Sequence, residues 1–282
     1  MADRPSTSTE NVDQRIVRDF GEEWTRFDQS ALRQEEAETL FGQYFSLFPW
    51  TRLRSDAVGF DLGCGSGRWA RFVAPRVGRL HCVDPSRAIE SARRNLAAYG
   101  NVDFHEVGVD ALPFSDGTMD FGYSLGVLHH LPDTQKGLTR CVRCLKRGAP
   151  FLLYLYYALD NRPVWYRWVW RLSDALRRVI SGLPSSLRYG VTQAIAAVVY
   201  WPTARVARLG ERLGISVEHW PLSAYRARSF YVMRTDALDR FGTTLERRFT
   251  RDQIAVMMDA AGLTDIRFRE AAPFWCALGV RS

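Results

Sequence analysis

Val58-Gly-Phe-Asp-Leu-Gly-Cys-Gly-Ser-Gly-Arg68 decides how this 282-residue chain is read. The stretch opens as a short apolar strand and runs into a turn with glycine at 63, 65 and 67. Glycine there gives the backbone its left-handed conformations and lets a ligand come close where a Cβ would collide. The helix that follows would aim its free N–H groups at a polar or anionic group. A glycine turn after a strand serves several kinds of nucleotide site and selects none of them alone.

Outward from this turn, short apolar runs at residues 57–62, 79–83, 102–107, 119–125 and 151–157 alternate with helical stretches. Strand and helix in alternation predict a mostly parallel sheet covered on both faces. Punctuation agrees. Ser86 is placed to cap a helix running to Tyr99, with Gly100 where a left-handed residue would end it. Thr250 and Gln253 read as a capping box, Gly262 closes that helix, and residues 264–269 alternate as a strand.

Between 158 and 240 the alternation stops, and aromatic and arginine residues recur at helical intervals. Thirteen arginines stand against six carboxylates there, an excess of seven that equals the net charge of the whole chain, +7. Only Lys136 and Lys146 among the 38 basic residues are lysines. The domain reading is therefore a disordered start and helical cap over 1–50, a core over 51–157 plus 241–282, and a basic, aromatic-rich insert over 158–240. In the cap, Leu32, Leu40, Phe41, Tyr44, Phe45 and Phe48 fall at helical spacing.

A hydrophobic content of 46 % allows one large core without metals or disulfides as staples. The polar start has no apolar signal region, which predicts a cytoplasmic protein. The longest apolar runs, 151–159 and 194–201, fall short of the roughly 18 residues a membrane span requires. Five cysteines form no disulfide framework, and Cys141-x-x-Cys144 has neither a second pair nor a nearby histidine, so no metal site is expected and both thiols are read as helix residues.

Asp84 ends the second strand, seventeen residues after Gly67, where a carboxylate can accept from both hydroxyls of a ribose. Asp61 precedes the glycine turn. Asp110-Ala111 follows the third strand, where the carboxylate could receive an adenine amino group and Ala111 could offer its N–H. Ser124 to Asp133 leaves the fourth strand through His129 and His130.

Together DLGCGSG, VDPS, DALPFSDGTMDFGYS and LGVLHHLPD resemble the class I S-adenosylmethionine (SAM) dependent methyltransferase family, in its small-molecule and quinone-type branch, over about residues 55–157 and more weakly over 241–282. The resemblance implies an α/β, doubly wound seven-stranded sheet of order 3-2-1-4-5-7-6 with strand 7 antiparallel. It implies that Asp61, Gly63, Cys64, Gly65 and Gly67 hold the methionine portion of SAM, Asp84 with Pro85 the ribose, and Asp110 and Ala111 the adenine. Leu125 would lend a carbonyl to the SAM ammonium, and Trp24 and Phe27 belong to a segment that closes over the cofactor.

Methyl transfer from a sulfonium is an in-line displacement in which positioning supplies much of the acceleration. His129 and His130 are placed to face the methyl group as bases, or to hold the loop by hydrogen bonds. The insert's tryptophans and tyrosines would wall an apolar pocket or form the insert's own core. Its arginines would bind an anionic group or stand as solvated helix faces. The expected activity is methylation of a small molecule, anionic or aromatic. The alternatives are an RNA or membrane-bound acceptor, aminocarboxypropyl transfer or SAM cyclisation, a non-catalytic SAM-binding protein, and a nicotinamide-linked oxidoreductase. Apolar seams on the N-terminal or inserted helices would support a homodimer.

Overall fold

The computed structural model describes residues 11–282, so the disorder expected at the start of the chain falls, up to Glu10, outside the described residues. Helices α1 (Gln14–Arg26) and α2 (Gln34–Tyr44) precede β1 (Val58–Leu62). Alternation then gives α3 (Ala70–Val73), β2 (Arg79–Val83), α4 (Ala88–Asn95), β3 (Val102–His105), β4 (Phe121–Leu125), α5 (Thr134–Cys144) and β5 (Pro150–Tyr154). The insert contributes α6 (Val164–Ile180), α7 (Ser185–Ile195), α8 (Trp201–Arg212) and α9 (Phe230–Gly242). Last come α10 (Arg251–Ala260), β6 (Leu263–Phe268) and β7 (Ala277–Arg281).

The sheet order is β3-β2-β1-β4-β5-β7-β6. The first five strands are parallel and β7 runs antiparallel to both its neighbours, as the resemblance implies. Central strands covered on both faces are apolar at nearly every position, which is why β4 and β5 read as continuous runs, whereas the edge strand β3 carries Asp103 and His105. In β5, Phe151 and Leu153 join a core with Leu138 and Ile254, while Leu152 and Tyr154 join the opposite one with Phe45 and Phe72. Across β1 and β4, Gly59 pairs with Phe121 and Phe60 with Gly122. A Cβ at either glycine would stand 2.3 or 2.6 Å from the opposing ring, so each strand yields space to the other's phenylalanine.

The predicted N-terminal cap divides. The chain breaks at Gln29, whose φ is +69°, and α2 then lays Phe41, Phe45 and Phe48 against Phe72, Tyr123 and Phe121 of the sheet layer. Leu32, Leu40, Phe41, Phe45 and Phe48 are thus core residues, and α1 is the helix that covers the cavity described below.

The α4 helix is shorter than the sequence predicts, because the chain leaves it at Asn95 and turns with Tyr99 N–H donating to Leu96 O. Gly100 is not left-handed. Ser86 Oγ does accept from Ala88 N–H, the Thr250–Gln253 capping box forms, and Gly262 closes α10 at φ +91°. Cys141 and Cys144 are buried thiols on α5.

The insert has its own small core of Ile180, Ala196, Tyr200, Ala204, Met233, Ala237 and Phe241. It is tied to the rest by buried arginines: Arg177 donates to Asp174 and to Thr243 O, and Arg188 donates to Asp19 of α1 and to Gly242 O. Among the described residues no helix is long and apolar enough to cross a membrane.

Candidate active site

The carboxyl ends of β1, β2, β4 and β5 open onto a cavity of about 370 Å³. That lies within the ~300–1,000 Å³ span of small-molecule sites. In an open α/β sheet a ligand sits at this edge, where strand order reverses, here between β1 and β4.

The glycine turn is fixed by its hydrogen bonds to β2. Gly63 and Cys64 N–H donate to Val83 O at 2.7 and 3.1 Å. Gly63 has φ +76°, and a Cβ there would stand 2.3 Å from Val127 Cγ2, so both conformation and space demand glycine. Gly65 N–H donates to Asp84 Oδ2 at 2.9 Å, while Asp84 Oδ1 accepts from the N–H and hydroxyl of Ser86 at 2.9 and 2.6 Å. Burial pushes the Asp84 carboxyl up, and these donors pull it part of the way back. Trp24 on α1 lies over the turn, its Nε1 3.5 Å from where a Gly65 Cβ would stand.

Of the residues expected at the site, Trp24, Gly63, Cys64, Gly65, Asp84, Pro85, Leu125 and His130 line the cavity. The others stand outside its lining, each for a visible reason. Asp61 is buried between Cys82 and Tyr123 in register on the neighbouring strands, and burial pushes its carboxyl up to about 8. Gly67 faces α4, where a Cβ would meet Leu96 at 2.9 Å.

Asp110 receives Asn11 N–H at 2.9 Å and the Lys136 ammonium at 2.7 Å, so its carboxylate is engaged by the N-terminal segment and α5. Ala111 spends its N–H on Gly108 O. Gly108 and Val109 line the cavity instead.

The two histidines part ways. His130 Nδ1 lies 2.8 Å from Leu245 O. A carbonyl only accepts, so Nδ1 carries the proton and Nε2 keeps its lone pair without a protein partner. Burial holds the ring's pKa down to about 4, and it is neutral at neutral pH. His129 is fully buried behind the cavity, stacked on Tyr156 with ring centroids 4.0 Å apart, and neither ring nitrogen has a protein partner. Burial first, then His130, holds it well below the usual histidine range.

At the far end of the cavity the sequence anticipates only the insert tyrosines, of which Tyr200 and Tyr225 line it, and not the carboxylates and arginines beside them. Tyr44, Tyr154, Tyr156, Tyr157, Tyr200 and Tyr225 wall it, with Asp236 and Asp239 of α9 and with Arg68, Arg240 and Arg248. Tyr156 donates its hydroxyl to Asp239 Oδ2, while Oδ1 has no protein partner. Burial pushes both Asp236 and Asp239 up to about 6. Arg240 and Arg248 share the buried Glu246 carboxylate at 2.6 and 2.7 Å, and together they hold its pKa down.

Arg68 lies over the Trp69 ring at 4.5 Å, and its Nε has no protein partner. One signal could have pointed here: Asp236 and Asp239 lie three apart on one helix face, among Ala237, Leu238 and Phe241. Four buried polar atoms of lining residues, Ser66 Oγ, Arg68 Nε, His130 Nε2 and Asp239 Oδ1, thus await hydrogen-bond partners, as the walls of a polar ligand site would.

Residues 60–148 match a family model described as a methyltransferase domain. The uncharacterized methyltransferase YcgJ of Bacillus subtilis is 30 % identical over 111 residues, covering 38 % of this chain and 44 % of that protein. The sterol 4-C-methyltransferase strm-1 of Caenorhabditis elegans is 26 % identical over 180 residues, covering 58 % of this chain and 50 % of that one. The chain thus spans half or less of the length of either relative.

The crystal structure of the CurJ carbon methyltransferase superposes over 93 % of this chain and 59 % of its own with a TM-score of 0.53, and at 12 % identity it speaks to the fold alone. Its glycine turn, its Asp84 and its seven-stranded sheet in this order are those of the class I SAM-dependent methyltransferases, whose methyltransferase domain residues 60–148 match.

Proposed function

We propose that this protein methylates a small-molecule amine with SAM as donor. One observation carries the reading: a single cavity joins the glycine turn and Asp84 at one end to two carboxylates among six tyrosines at the other. At the first end Gly63, Cys64, Gly65 and Ser66 would hold the methionine portion, Asp84 and Pro85 the ribose, and Gly108 and Val109 the base, with Leu125 beneath and Trp24 as cover. The orphaned polar atoms and the glycine cradle fit such a group. When bound, SAM supplies a methyl group on a sulfonium, already activated for in-line displacement.

The acceptor class follows from charge. Arg240 and Arg248 share one carboxylate, Glu246, so one positive charge of that pair stands beside Arg68, whose field acts on Asp236. At neutral pH both aspartates are ionised, so three arginines and three carboxylates balance at this end, and the two aspartates among six tyrosine rings are the groups that can receive an ammonium. The insert's arginines suggest an anionic acceptor in the sequence, but most of them lie away from the cavity.

An amine attacks only after losing its proton. Asp239 Oδ1 is the base placed to take it, held in orientation by the Tyr156 hydroxyl on Oδ2 and tuned to about 6, within reach of neutral pH. His130 is too weak a base for that step. Its Nε2 lone pair orients the acceptor by receiving an N–H.

Calorimetric titration with SAM, S-adenosylhomocysteine and NAD, followed by assay of S-adenosylhomocysteine release against amines, phenols and carboxylates, tests the proposal. Micromolar binding of the first two and turnover with amines is expected. No SAM binding by the folded protein would overturn the cofactor, turnover confined to phenols or carboxylates would overturn the acceptor class, and methylthioadenosine as product would overturn methyl transfer.

A further inference from the structure

Among the described residues, fifteen of the seventeen large apolar side chains that stand exposed lie between Val164 and Ile215, within the insert. On α6 they form a stripe. Trp165, Trp168, Val169, Leu172, Leu176 and Val179 follow each other at intervals of one, three or four, which at about 100° per residue places them within an arc of roughly 100°. Trp168 is 62 % and Leu172 75 % exposed, so the stripe faces solvent.

The buried side of α6 runs from the edge of the stripe to its opposite, with Ile180, Arg177 and Asp174 at about 60°, 120° and 180° from Trp165. Between the two faces, at about 200–240° on the same wheel, run the exposed Arg167, Arg171 and Arg178. The α8 helix repeats the plan with an apolar row of Val206, Leu209 and Leu213 beside a row of Arg205, Arg208 and Arg212.

We propose that these faces of the insert dock the protein on an anionic lipid surface, with α6 lying in the plane of the interface. A helix that shows tryptophan, leucine and valine on one side and arginine along its flank sinks the first into the acyl boundary and keeps the second at the phosphates. Charge selects this occupant over a second copy of the chain. The exposed arginines of α6 and α8 are countered between Val164 and Ile215 only by Glu211, which is itself engaged by Arg226, and by Asp174, which is buried. Two such faces brought together would repel, whereas each arginine gains at an anionic membrane. RNA would suit the arginines and tryptophans, but it gives leucine and valine nothing to stack on.

Flotation of the full-length protein with vesicles of phosphatidylcholine alone, and of phosphatidylcholine mixed with phosphatidylglycerol, tests the proposal. Binding to the mixed vesicles that falls with added salt is expected. Leu172→Asp with Trp168→Asp on α6 should abolish it; these side chains are exposed, and an unchanged unfolding midpoint shows that the variant folds. Arg167→Gln and Arg171→Gln should each weaken binding roughly fivefold. No flotation with either vesicle would overturn the proposal. So would a wild-type dimer that the α6 variant turns into a monomer, or tight RNA binding lost in the same variant.

Discussion

Asp236→Asn should make this protein more stable and less active, and the size of the gain follows from where the side chain stands. Asp236 faces the cavity from α9, enclosed by protein, and burial is the main cause that pushes its carboxyl from an ordinary 3.8 up to about 6, with Arg68 opposing. A group whose folded pKa is raised binds its proton more tightly in the fold than in the unfolded chain, so stability falls as pH rises between the two values.

Below about pH 4 the side chain is protonated in both states and carries no penalty; above about pH 6 it is ionised in both, and the penalty is complete. Two pKa units correspond to ~3 kcal/mol. Water in the cavity screens part of that, leaving about 2 kcal/mol. Asparagine keeps the shape and cannot ionise. Urea unfolding of the wild type and the variant across pH 4 to 8 should therefore give curves that coincide at the acid end and separate by about 2 kcal/mol at neutral pH, a rise of about 3 °C in melting temperature. At the same time KM for an amine acceptor should rise. A variant no more stable at pH 7.5 than the wild type would refute the claim that Asp236 is ionised at an energetic cost.

The remaining expectations concern the frame around the cavity. Gly63→Ala forces a side chain into φ +76° and against Val127 at 2.3 Å, so a loss of at least ~2 kcal/mol in thermal unfolding and of S-adenosylhomocysteine binding by calorimetry is expected. Glu246→Gln leaves Arg240 and Arg248 without their shared carboxylate and should cost about 3 kcal/mol at neutral pH. Because the Glu246 pKa is held down, its contribution is present above the ordinary glutamate value and fades as pH falls through the folded one, so the two urea curves should converge in acid. Arg188→Ala breaks the buried pair with Asp19 at 3.0 Å and should weaken S-adenosylhomocysteine binding although Arg188 does not line the cavity; unchanged affinity would show that α1 holds its place without the insert.

The sheet is legible in the sequence because its central parallel strands are largely apolar, and the glycine-turn end of the cavity is legible because its residues follow directly from strand ends. Gly63, Cys64 and Gly65 follow β1, Asp84 and Pro85 follow β2, and Leu125 closes β4, so a local rule finds them. Asp110 obeys the same rule and still stands off the cavity, since Asn11 and Lys136, distant in sequence, claim its carboxylate. The far end has no local rule at all. Tyr44 comes from the end of α2, Tyr154 and Tyr156 from β5 and beyond, and Asp236 from α9, and only the packing of the insert against the sheet brings them together. The arginine excess misleads in the same way, because composition sums buried ties such as Arg177 and Arg188 with the exposed rows of α6 and α8.

Closure of the cavity rests on an arrangement that charge alone would forbid. Helix α1 carries Trp24 over the glycine turn, and one residue earlier Glu23 is buried with Oε1 lacking a protein partner. Burial first, then the fields of Asp239 and Asp236, pushes the Glu23 carboxyl well above its ordinary range, and Arg188 offsets only part of this. In a medium of low dielectric each ionised carboxylate disfavours the ionisation of the others. Burial and these two fields favour the protonated form of Glu23, while Asp236 and Asp239 open onto the cavity. The cover is thus joined to the insert by the ion pair of Asp19 with Arg188, and the carboxylates of Asp236 and Asp239 stand on the cavity side.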